Sequence, residues 1–109
     1  MNLHLPEAVN TYFAISNGGD ATRLATCFHA HARVTDEKRT HQGIDAIVAW
    51  QREARQAFSY RVEPVDASQR DEALTVTARV TGDFPGSPVL LKHLFALTDG
   101  RISSLEIAP

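Results

Sequence analysis

The chain has 109 residues, 43% hydrophobic and 22% charged, with a formal net charge of −2. That length suits one domain burying roughly two-thirds of its unfolded surface, enough for a core without metals or disulfides, and the composition excludes disorder and collagen-like structure. No apolar run approaches the ~20 residues that span a bilayer, no signal peptide is expected in MNLHLPEAV, no basic cluster beyond Lys38-Arg39 offers nucleic acid a footprint, and the single Cys27 excludes an internal disulfide and fits a reducing cytoplasm.

Leu5, Ala8, Val9, Tyr12, Phe13 and Ser16 recur at spacings of three and four, the apolar stripe of an amphipathic helix. Pro6 suits its first turn, where a missing N–H costs nothing. Asn17-Gly18-Gly19 ends it, because Asn and Gly accept the left-handed conformation that terminates helices. Asp20 is placed to cap a second short helix carrying Leu24, Cys27 and Phe28. Ala32, Val34 and Asp36 then alternate with Arg33 and Thr35, as in a short strand. Residues 37–43, EKRTHQG, read as a polar loop. Helical period returns with Ile44, Ile47, Val48, Gln51, Ala54 and Phe58, and this third helix should reach about Ala57.

Three or four strands follow. Tyr60 and Val62 share a face in the first. Leu74, Val76, Ala78, Val80 and Gly82 alternate with Thr75, Thr77, Arg79 and Thr81 in the second, a one-sided strand. Val89 to Thr98 is apolar on both faces apart from Lys92 and His93. Asp99-Gly100 joins it to a last strand, Arg101 to Ile107, and a DG pair between apolar runs is a strong hairpin signal. The order is ααβαββββ with a mainly antiparallel C-terminal sheet, an α+β class. Leu90, Lys92, Leu94 and Ala96 lie opposite the core side of their strand, and an exposed apolar patch of that kind implies a homodimer.

This order and its local strings resemble the nuclear transport factor 2-like superfamily, also called SnoaL-like or ketosteroid isomerase-like. The carrying segments are Val9-Asn10-Thr11-Tyr12, Asn17-Gly18-Gly19-Asp20, Ala32-Arg33-Val34-Thr35-Asp36, Gly43-Ile44-Asp45-Ala46-Ile47 and Phe95-Ala96-Leu97-Thr98-Asp99-Gly100-Arg101-Ile102. The match covers essentially the whole chain, one domain over 1–109. The resemblance implies a cone: a curved antiparallel sheet over three N-terminal helices, enclosing an apolar pocket for a small apolar molecule, often in a homodimer. It also implies either of two functions. One is cofactor-independent acid–base catalysis on a small apolar carbonyl compound, of isomerase, cyclase or dehydratase type. The other is a non-catalytic ligand-binding or accessory module.

By the same resemblance, Asp36 stands where the general base would, Tyr12 where the oxyanion donor would, and His93 where a protonated Asp would be. Such chemistry needs a base in a dry pocket and donors aimed at the oxygen where charge develops. His93 is a departure, since a neutral imidazole donates one hydrogen bond but is no carboxylic acid. Gln51 is another, replacing a supporting tyrosine. Phe13, Val34, Gln51, Trp50 and Phe95 are expected to line the pocket.

Each residue also has a plainer reading. Asp36 could cap a turn into Glu37-Lys38. His93 could be a satisfied core histidine. Tyr12 could be a core tyrosine with its hydroxyl at the edge, and Trp50 packing or dimer surface. His29-x-His31 with His41 raises a metal site. But 29–31 fall at the end of the second helix and His41 in the loop, so no metal is expected.

Overall fold

The structure is a computed structural model and describes residues 3–109. The first stripe forms α1 (Glu7–Ser16), with Ala8, Val9, Tyr12, Phe13, Ile15 and Ser16 buried. It ends at Asn17-Gly18-Gly19 as expected, with the left-handed residue at Gly18 and not at Asn17. Asn17 keeps a negative φ of −95°, and Gly18 takes the left-handed conformation, φ 105°. The amide side chain of Asn17 instead clamps a strand: Nδ2 donates to the Val62 carbonyl at 2.8 Å, and Oδ1 accepts from the Val62 N–H at 2.7 Å. Asp20 caps as expected, accepting from the Thr22 N–H at 3.0 Å. A 3-10 turn, Ala21–Arg23, leads into α2 (Leu24–Cys27).

The first strand, β1 (Phe28–Asp36), begins earlier than its alternation suggested. Phe28, His29 and His31 therefore belong to a strand, not to the end of a helix. The irregularity between Phe28 and Arg33 hides the period there. The expected polar loop is a hairpin. Residues Arg39–Gln42 form β2, antiparallel to β1, with Asp36 opposite Arg39. Glu37 and Lys38 make the two-residue turn, with φ of 51° and 65°. Both left-handed residues match the twist of a tight hairpin, a geometry that Asn-Gly satisfies far more cheaply than Glu-Lys.

Then come α3 (Ile44–Ala57), β3 (Tyr60–Arg70), β4 (Ala73–Gly82), β5 (Val89–Thr98) and β6 (Arg101–Ala108). The six strands form one sheet in the order β2-β1-β6-β5-β4-β3. Pairing is antiparallel throughout except β1 with β6, which is parallel. Register shifts at Pro64/Asp66 and Ala96/Leu97 bend the strands, because a bulge adds local twist and curvature. The helices cover one face of this curved, open sheet, as the α+β cone requires.

The core lies between them. Val9, Tyr12, Phe13, Leu24 and Ile47 from the helices meet Phe28, Val34, Val76, Phe95, Ile102 and Leu105 from the sheet. Leu74, Val76, Ala78 and Val80 point inward from β4, as their alternation required. On β5 the inner face carries buried His93 and Phe95, while Leu90 and Leu94 are exposed on the outer face. Cys27 is a buried core residue. No helix among the described residues is long and apolar enough to cross a membrane.

Candidate functional site

The register of the sheet sets out the site. Asp36 on β1 pairs with Ile107 on β6, and Ile107 pairs with His93 on β5. The three lie in one row across neighbouring strands, on the same face. Two strand spacings separate the backbones of Asp36 and His93 by about 10 Å. Ile107 forms the floor between them. Over this floor is a cavity of about 170 Å³. Tyr12 and Ser16 reach it from α1, Trp50, Gln51 and Ala54 from α3, and Tyr60 and Val62 from β3. Phe84, Leu91 and Glu37 complete much of its rim.

The polar groups are held individually. Asp36 Oδ2 accepts a hydrogen bond from the Trp50 indole N–H at 3.1 Å, so α3 fixes the carboxylate from above. The same indole lies parallel to the Tyr12 ring, with centroids 6.5 Å apart. Gln51 Nε2 donates to Ser16 Oγ at 3.4 Å, joining α3 to α1. Arg55 sits behind the cavity. Its guanidinium donates to the carbonyls of Ser16 and Tyr60 and lies 4.9 Å from the centre of the Tyr60 ring.

His93 is 3% exposed and packs against Phe13, Phe95 and Tyr12. Burial disfavours the imidazolium and pushes the pKa down from 6.5 to about 4. The Leu91 backbone acts in the other direction, and Nδ1 is buried with no hydrogen-bond partner of normal geometry. The ring is therefore neutral near pH 7. Burial likewise pushes the Tyr12 phenol far above its usual range, opposed by the Ser16 hydroxyl and reinforced by Tyr60 and Asp36. Tyr12 thus stays an O–H donor, and an uncharged one.

The structure brings Asp36, Tyr12, His93, Trp50 and Gln51 to one cavity. It does not place Phe13, Val34 or Phe95 on the cavity wall. These three point inward but sit deeper, 4% exposed or less, and close the core beneath the site. Period locates a face and says nothing of depth along it. Ser16, Tyr60, Phe84, Leu91 and Ile107 were not singled out as site residues. Tyr60 had a signal, its shared face with Val62; the others depend on how distant strands and helices meet. The histidines His29, His31 and His41 do not converge. His29 Nε2 is 2.6 Å from the Thr98 carbonyl, and His41 lies beside Trp50, centroids 6.1 Å apart. No group of three metal-ligating side chains occurs among the described residues.

Comparison with known families matches residues 9–105 to the SnoaL-like domain. The chain belongs to the SnoaL-like family. Among solved structures, a candidate polyketide cyclase from Sinorhizobium meliloti is 43% identical, with 94% of each chain covered and a TM-score of 0.90. A protein with a ketosteroid isomerase-like fold from Catenulispora acidiphila, solved with trimethylamine, is 21% identical over 97% of this chain and 87% of its own, TM-score 0.84. A candidate isomerase of the SnoaL-like family from Agrobacterium tumefaciens is 22% identical over 92% of each chain, TM-score 0.77. The latter two likenesses establish the fold alone. Comparison with curated proteins gives no match. SnoaL-like membership covers cyclases and isomerases without choosing a reaction, because one fold hosts many chemistries.

Proposed function

We propose that this SnoaL-like protein is a cofactor-independent acid–base catalyst that moves a proton at a carbon next to a carbonyl, as an isomerase, cyclase or dehydratase would. The reading is carried by the row Asp36–Ile107–His93, which sets a carboxylate and a neutral imidazole on either side of one cavity. Asp36 is the base. Its Oδ2 is oriented by Trp50, and its Oδ1 is unpaired among the described residues. Tyr12 donates to the developing oxyanion, and His93 is the second donor. An uncharged donor in a water-poor site stabilises developing charge more than it would in bulk water. The 43% identical relative described as a candidate polyketide cyclase supports proton-transfer chemistry of this kind.

The reading includes a cytoplasmic homodimer. Leu90 and Leu94 are 54% and 42% exposed on the outer face. Lys92 and Glu106 share that face, Lys92 beside Leu90 and Leu94 along β5 and Glu106 paired with Leu94. A two-fold contact could set Lys92 of one copy against Glu106 of the other.

The test of the chemistry is solvent deuterium exchange at the carbon beside the carbonyl of small ketones in D₂O. The protein should accelerate exchange, and Asp36→Asn should slow it by ~100-fold or more, the scale of a lost acid–base group. Exchange no faster than buffer would refute catalysis and leave the reading of a non-catalytic binding module.

A further inference from the structure

Tyr60 and Arg55 form a pair that the acid–base reading leaves unused. Tyr60 opens β3 and borders both the cavity and a second depression of about 240 Å³, and Asp36 and Trp50 border the same two hollows. In the sheet order β3 lies four places from β1. On a flat sheet that separation is about 19 Å. The curl of the sheet therefore carries Tyr60 round to the space in front of Asp36, and the Asp36 charge acts on the Tyr60 phenol.

The backbone around Tyr60 is fixed on several sides. The Ser59 N–H donates to Asp83 Oδ1 at 3.0 Å, and the Asp83 N–H donates to the Ser59 carbonyl at 3.1 Å. Arg55 donates to the Tyr60 carbonyl at 3.2 Å, and Asn17 holds both backbone groups of Val62. Gly82 lies opposite Tyr60 in the ladder, where a Cβ would stand 2.8 Å from the Tyr60 Cβ. A residue mounted in this way needs little reorganisation to meet developing charge, which is the requirement for a preorganised donor.

Arg55 supplies the electrostatics. Its guanidinium lies 4.9 Å from the centre of the Tyr60 ring, makes no ion pair among the described residues and stands behind the cavity wall, not on it. A half-buried cation without a carboxylate partner keeps its positive potential for negative charge that develops nearby. Burial raises the Tyr60 phenol above its ordinary pKa; the charge and hydrogen bonding of Arg55 oppose that rise, and Asp36 adds to it. No cation acts on Tyr12, whose phenol burial carries far above its usual range. Of the two tyrosines in the chain, Tyr60 is the one with a cation at its back.

We infer that Tyr60 is a further catalytic residue, donating a hydrogen bond to the oxygen that gains charge when Asp36 takes a proton from carbon, and that Arg55 is the positioning residue that holds and polarises it. The inference rests on the acid–base reading. In that step the C–H bond breaks and Asp36 Oδ1 takes the proton. The electron pair forms a carbon–carbon double bond and displaces the carbonyl pair onto oxygen, which accepts from the Tyr60 hydroxyl. The proton then returns from Asp36 to carbon as the pair moves back.

The experiment follows deuterium exchange beside the carbonyl of cyclohexanone in D₂O. Tyr60→Phe keeps the ring against Arg55 and removes the hydroxyl alone. It should lower kcat about 100-fold, the scale of one lost oxyanion donor, with KM and the urea midpoint unchanged. Arg55→Lys keeps the charge and should retain most of kcat, whereas Arg55→Gln should not. Tyr12→Phe leaves Tyr60 as the one phenol that titrates, and in that background Arg55→Gln should move tyrosinate absorbance to higher pH. An unchanged kcat in Tyr60→Phe overturns the donor. Equal losses in Arg55→Lys and Arg55→Gln, with an unmoved tyrosinate titration, overturn the polarising role of Arg55. Loss with Tyr60→Phe but none with Asp36→Asn refutes the base and upholds the donor, and the opposite pattern does the reverse. Exchange no faster than buffer with the parent protein overturns both.

Discussion

Replacing His93 with leucine should make the protein less sensitive to acid. His93 is 3% exposed among Tyr12, Phe13 and Phe95, and burial holds its pKa near 4 against 6.5 in an unfolded chain. Above pH 6.5 the imidazole is neutral in both states and the effect vanishes. Below it, the unfolded chain takes up a proton that the folded chain refuses, so stability falls until the folded ring also protonates near pH 4. The gap between the two values corresponds to about 3 kcal/mol in all, with about 2 kcal/mol already lost at pH 5. His93→Leu removes that loss and the unpartnered Nδ1, an omission worth ~1–3 kcal/mol in its own right. The variant should therefore be as stable as the parent or more so at pH 7.5, and its advantage should widen steadily as the pH drops toward 4. Urea unfolding of both proteins at pH 7.5, 6, 5 and 4.5 measures this. Carboxylates titrate alike in the two, so the difference isolates His93. If the two stabilities ran parallel across that range, His93 would not be a desolvated neutral group, and its role as an uncharged donor to the ligand would fall with it.

Three further outcomes are expected. Asn17→Ala removes both bonds to the Val62 backbone and should cost about 2 kcal/mol in urea unfolding; an unchanged midpoint would show that α1 is not pinned to β3 by this side chain. Lys38→Gly relieves a left-handed residue at the turn position where glycine is favoured, and should stabilise by about 1 kcal/mol, read as a rise in melting temperature; a fall would contradict the turn geometry. Lys92→Glu places an acid beside Leu90 and Leu94 and should shift the proposed dimer toward monomer in light scattering at micromolar concentration, so an unaltered mass would place the interface elsewhere.

The amino-acid sequence by itself determined the elements whose signals are local. The three-and-four spacing of Val9, Tyr12 and Phe13 is enough for α1, and that of Ile44, Ile47 and Gln51 for α3. The alternation from Leu74 to Val80 fixed β4 and its inward face, and Asp99-Gly100 fixed the last hairpin, whose two turn residues are both left-handed. The hairpin of β1 with β2 escaped because Glu37-Lys38 lacks the turn chemistry that its backbone adopts; pairing and curvature impose φ values that the residues do not prefer. The resemblance pointed to Asp36, Tyr12 and His93 individually. Their meeting was a tertiary matter. It depends on β6 lying parallel to β1 and antiparallel to β5 with Ile107 in register with both, and on Trp50 of α3 reaching Asp36. No window of sequence encodes the partner of a strand seventy residues away. Depth was decided in the same way: Phe13, Val34 and Phe95 face inward by period, yet only the packing of helices on a bent sheet decides which inward residues fill the core and which are left to border a cavity.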